Sequence, residues 1–148
     1  MTDYFDETPC NYFPGITSNS LFSIGWLDFS QRFQTGTIDI KIYKKLEKFK
    51  TQSINILKLP VCAGLHTCNL CQFDGPRGGN NHIIIPGNGF LYICPELITH
   101  YIACHRYLPP GKFIESLINC PDMSSMEYKM QVLNNGGREI LSRTRKNA

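Results

Sequence analysis

The sequence predicts an α+β domain built around a small treble-clef-like zinc-binding core. Three observations carry that expectation. Cys68 and Cys71 are separated by two residues, a spacing at which one tight turn aims both thiolates at a single ion. The apolar runs His82-Ile83-Ile84-Ile85 and Phe90-Leu91-Tyr92-Ile93 flank Pro86-Gly87-Asn88-Gly89, which reads as a β-hairpin with a four-residue loop. A helical segment then carries His100 and His105. Knuckle, hairpin and helix follow one another in treble-clef order, where the knuckle gives two ligands and the helix two more.

The remaining elements follow along the chain. Residues 1–20 are rich in turn formers with Tyr4, Phe5, Tyr12 and Phe13 between them, and read as an irregular arm packed on the body. Leu21 to Leu27 has the β-branched and aromatic crowding of a short strand. An amphipathic helix is expected from Ile38 to Lys50. Its Ile42, Leu46 and Phe49 share one face, and Lys41, Lys44, Lys45 and Lys48 take the other.

Ile54 to Leu57 suggests a second short strand before the Cys pair. After the hairpin, Pro95 suits the first turn of a helix running to Arg106, and Pro109-Pro110 forbids its continuation. A further helix is expected from Gly111 to Asn119, with Phe113, Ile114, Leu117 and Ile118 on one face. Ser124-Ser125-Met126-Glu127 has the Ser-x-x-Glu form of a capping box, opening a last helix to Leu133. Asn134-Asn135-Gly136-Gly137 stops it, and a basic tail follows.

Length and composition make this a single domain over residues 1–148. Within it lie the arm (1–20), a strand and helix (21–61), the finger-like core (62–119), and a C-terminal helix with basic tail (120–148). The hydrophobic fraction of 42% is ample for a core, so metal need not be the only source of stability. Charged residues make up 18%, below the usual ~25%, and the net charge of +3 is mild. No secretory leader is visible, and the apolar runs are too short for a membrane span. Seven cysteines, an odd number, look like a ligand pair plus single thiols rather than a disulfide framework. These features point to a cytoplasmic protein.

The knuckle ligands are better defined than the helix ligands. On an ideal helix His100 and His105 lie about 140° apart, so both reach one ion only if the helix tightens or ends near His105. Cys104 competes, because it stands at i+4 from His100 and faces the same way. His66 competes from the knuckle side. His105 also falls within the apolar arc of Leu97, Ile98, Tyr101 and Ile102, where a core histidine without metal would look the same. His82, beside a Gly-rich loop, reads as a surface residue.

Three segments resemble a family of small uncharacterised bacterial proteins. These are the knuckle His66-Thr67-Cys68-Asn69-Leu70-Cys71, the hairpin tip Ile85-Pro86-Gly87-Asn88-Gly89, and the run from His100-Tyr101-Ile102 through His105, Tyr107 and Pro109-Pro110 to Phe113. Gly25-Trp26-Leu27-Asp28 and Thr35-Gly36 are similar to the family's opening. The resemblance covers most of residues 4–118. It implies that His105 belongs to the pattern and that Cys104 is an addition of this chain. It implies no reaction.

The expected metal set is therefore Cys68, Cys71, His100 and His105, holding Zn2+. A closed four-ligand site leaves no coordination position for chemistry, so the expected role is protein–protein recognition, as a regulatory or immunity module. Nucleic-acid binding is the alternative, through the lysine face of residues 41–50, Arg106, Lys112 and the 143–146 tail. A third reading is a metal-dependent hydrolase with three ligands, a bound water and Glu96 or Asp74 as base. No catalytic signature supports it: Cys94-Pro95-Glu96 is not a deaminase motif, and the pair Cys62 and His66 is unanchored.

Overall fold

A mixed sheet forms the centre of the fold. The computed structural model describes residues 8–9, 21–25, 27, 32–56, 68, 70–71 and 82–138. Strand β3 (His82–Pro86) turns into β4 (Leu91–Pro95) and pairs antiparallel with it, with Ile84 opposite Ile93. The turn closes where the Gly87 amide donates to the Phe90 carbonyl at 2.8 Å, and Gly89 supplies a φ of 87°. Strand β2 (Leu21–Ser23) runs parallel to β4 and aligns Phe22 with Tyr92. The two-residue β1 (Thr8–Pro9) extends the sheet antiparallel to β2, giving the order β1-β2-β4-β3.

Every residue of β3 and β4 is buried, so both faces of this part of the sheet are covered. That explains why the two runs read as continuous apolar stretches rather than as an alternation. His82 belongs to this buried set at 5% exposure, which corrects the expectation of a surface histidine. The strand expected over 21–27 ends at Ser23. Gly25 adopts a φ of 84°, and a Cβ there would lie 2.9 Å from the Ile98 side chain. The bare glycine lets the second helix approach the strand's end.

Helix α1 (Ile40–Ile56) starts two residues later than expected and runs six residues further. The Asp39 carboxylate accepts the Lys41 amide at 2.8 Å and caps its start. Leu46 and Phe49 are buried, as their spacing requires. The strand expected from Ile54 is helical through Ile56 instead, and Leu57 lies outside the described residues. The physical reason is local: the Thr51 hydroxyl donates to the Glu47 carbonyl and that of Ser53 to the Lys50 carbonyl. Both side chains are satisfied within the helix, and no Gly or Pro interrupts it before Pro60.

Helix α2 (Ile98–His105) begins three residues after Pro95, which instead closes β4. Helix α3 (Gly111–Asn119) has the expected bounds, burying Phe113 and Leu117, while Ile118 stands 52% exposed. Helix α4 (Met126–Asn134) turns Tyr128 and Val132 inward, and the Tyr128 hydroxyl donates to the Ile84 carbonyl at 2.6 Å. Its cap is one residue later than the Ser-x-x-Glu reading. Ser124 bonds to the Asp122 carboxylate through both amide and hydroxyl, so Ser125 accepts the Tyr128 amide in its place. Glu127 then falls one position short of closing a capping box. Among the described residues, no helix is long and apolar enough to cross a membrane.

Candidate metal centre

Four side chains from two places in the sequence meet at one point. Cys68 and Cys71 come from the knuckle, His100 from the first turn of α2, and His105 from its last residue. One donor atom from each lies within 4.8 Å of all the others. The Cys71 sulfur is 3.3 Å from His100 Nε2 and 3.4 Å from His105 Nε2, and the Cys68 sulfur is 3.5 Å from His105 Nε2. The histidine rings stand nearly perpendicular, with centroids 5.0 Å apart.

These distances suit a cation. With Zn–S of about 2.3 Å and Zn–N of about 2.0–2.1 Å, a regular tetrahedron places S and N about 3.5–3.6 Å apart. The observed edges are within a few tenths of an ångström of that. Hydrogen bonds alone fit less well, because His105 Nε2 faces two sulfurs and the Cys71 sulfur faces two imidazoles. A thiol has one proton to give and is a weak donor. A central cation serves all four atoms at once.

The electrostatics agree. Burial, then the hydrogen bond and charge of Cys68, push the Cys71 thiol above its ordinary value of 9.0. Burial, then repulsion from His105, holds His100 below 6.5. The Cys71 thiol thus resists becoming a thiolate until a divalent cation offsets its charge, and the His100 imidazole, kept neutral, presents a lone pair to that cation.

The end of α2 brings the two histidines together. An ideal helix would set them about 140° apart. Here the helix stops at His105, and Arg106 takes a left-handed φ of 54°, the one non-glycine residue with positive φ among those described. The amides of Arg106 and Tyr107 both donate to the Tyr101 carbonyl, five and six residues back. The helix thus ends on five- and six-back bonds rather than on the three-back bonds of a tightened turn. A strand-like segment clamps this end: the Gly36 amide donates to the Arg106 carbonyl, the Leu108 amide donates to the Gln34 carbonyl, and Thr35 bridges Tyr107.

The competing ligands separate. Cys104 is exposed and outside the cluster. His66, with Cys62 and Asp74, lies outside the described residues. Glu96 sits in the turn before α2, and no carboxylate belongs to the cluster among the described residues. Cys94 and Cys120 are buried and in no disulfide, and burial raises Cys120 to about 12.

The model of a domain of unknown function, DUF7919, matches residues 2–118. The chain belongs to that family. The DUF7919 match takes in the knuckle, the hairpin, α2 and the segment that clamps its end, and stops within α3 before its last residue. Helix α4 lies beyond it. No curated protein and no solved structure matches this DUF7919 chain.

Proposed function

We propose that Cys68, Cys71, His100 and His105 hold one zinc ion in a closed structural site. In this reading the chain is a cytoplasmic protein-recognition module of regulatory or immunity type. The observation that carries the metal assignment is the convergence of four donor atoms within 4.8 Å. Two soft thiolates and two imidazoles in a tetrahedral set favour zinc over the harder divalent ions. Four protein ligands fill the tetrahedron, so the ion would organise the fold rather than activate water. The element order is that of a treble clef, with one departure: the helix ligands come from its first turn and its last residue, not from one turn.

A protein partner is supported by α4. Its Met126, Met130 and Leu133 share a face opposite Tyr128 and Val132 and stand 70%, 49% and 42% exposed. Flexible methionine faces of this kind adapt to apolar surfaces. Part of the lysine face of α1 is engaged within the chain. Lys45 donates to the Ile118 carbonyl, Lys48 pairs with Asp122, and Lys50 reaches Thr99.

Native mass spectrometry of purified chain tests the metal reading. One zinc per chain is expected, and a metal-free chain of full stability would overturn it. Replacing Met130 and Leu133 with serine should then abolish capture of the native partner and leave zinc content unchanged.

A further inference from the structure

An aromatic hollow lies on the sheet, and none of the four cluster residues lines it. Its volume is about 180 Å³, and the described residues around it are Phe22, Phe90, Tyr92 and Lys112. Tyr92, 2% exposed, forms the floor; Phe22 and Phe90, half-buried, form walls; Lys112 stands exposed at the rim.

The sequence and the sheet register build this hollow together. Phe22 and Tyr92 are partners across the parallel strands β2 and β4. Phe90 ends the hairpin turn and folds back over Gly87, where a Cβ would come within 2.8 Å of its ring. The rings form an edge-to-face chain: Phe22 to Phe90 at 5.1 Å, Phe90 to Tyr92 at 4.8 Å, and Tyr92 to Phe113 at 5.3 Å. Each ring is held by its neighbour, so the walls stand in place before any ligand arrives. Lys112 belongs to the first turn of α3, which carries no acidic residue, and no carboxylate among the described residues pairs with it.

We propose that this hollow binds a small aromatic carboxylate of the size of benzoate. The ring would lie against Phe22 and Phe90 above Tyr92, with the carboxylate on the Lys112 ammonium. Size sets the limit, since an apolar cavity of about 150 Å³ takes one benzene ring. Aromatic walls favour a flat apolar body over an alkyl chain of equal size. One cation at the rim selects one negative charge.

The test is a titration of benzoate into the full-length, zinc-loaded chain, followed by amide chemical shifts in NMR. Saturable shifts at Phe22, Phe90, Tyr92 and Lys112 are expected. Benzyl alcohol, which keeps the ring and lacks the charge, should bind about fivefold more weakly, as should benzoate to the Lys112→Gln variant, while Lys112→Arg retains binding. Lys112 is exposed, so neither substitution threatens folding. Three results would overturn the proposal. These are a failure to saturate, an affinity unchanged by Lys112→Gln, or shifts confined to Cys71, His100 and His105, which would place the carboxylate on the metal.

Discussion

Replacing Cys68 with serine tests the centre most directly. Cys68 is the most buried of the four donors, 3% exposed, and its sulfur approaches His105 Nε2 at 3.5 Å. A serine hydroxyl is shorter and harder than a thiolate and does not complete a soft tetrahedral shell. The gain from metal follows mass action: at free zinc one hundred times the dissociation constant, binding stabilises the folded chain by about 2.7 kcal/mol. For a chain of this length, each 1 kcal/mol moves the melting temperature by roughly 2–4 °C, so the variant should melt roughly 5–11 °C lower. The same shift should appear when wild-type protein is treated with a chelator, and the variant should no longer respond to chelation. Differential scanning calorimetry with and without chelator reads both. Equal chelator shifts in Cys68→Ser and wild type would refute the assignment. The core of Ile83, Ile84, Ile93 and Phe113 does not depend on metal, so the variant is expected to remain folded.

The other predictions probe the scaffold around the site. Tyr128→Phe leaves the buried Ile84 carbonyl without its 2.6 Å donor and should destabilise the chain by about 1–3 kcal/mol in urea unfolding, with zinc content unchanged. Gly25→Ala strains a left-handed position and drives a methyl into Ile98; a loss of about 1–2 kcal/mol is expected, with weaker zinc retention because α2 must retreat. Arg106→Gly should hold zinc as well as wild type, whereas Arg106→Val, β-branched at a φ of 54°, should release it at lower chelator concentration. Asp122 is held well below its ordinary 3.8, first by Lys48 and then by Ser124. A carboxylate whose folded value is depressed contributes stability above its unfolded value and loses it on acidification. The acid-unfolding curve should therefore fall below about pH 3.8, and Asp122→Asn should flatten that part of it.

Much of this architecture is legible in the sequence because it is local. Two apolar runs around Pro86-Gly87-Asn88-Gly89 can hardly form anything but the hairpin, and Gly111 to Asn119 is bounded by Pro110 and Pro121. Two of the errors fall where a side chain chooses between local partners. The first helix reads as ending at Lys50, but the hydroxyls of Thr51 and Ser53 bond back to helix carbonyls and it continues. Ser124 looks like a cap until Asp122 takes it. What no window of sequence contains is the relation between distant segments. On a helical wheel His100 and His105 diverge, and Cys104 is the better match to His100. The choice is made by residues 34–36, some seventy positions upstream, which clamp the chain after His105 and hold Arg106 in the left-handed turn that ends the helix. The aromatic hollow was hidden for the same reason, since Phe22 and Tyr92 become neighbours only through a parallel register. The two candidate sites thus depend on tertiary contacts, while the elements that carry them depend on pattern. Thr35-Gly36 and Tyr107 hold no ligand atom, yet their bridge fixes the turn on which the second histidine depends.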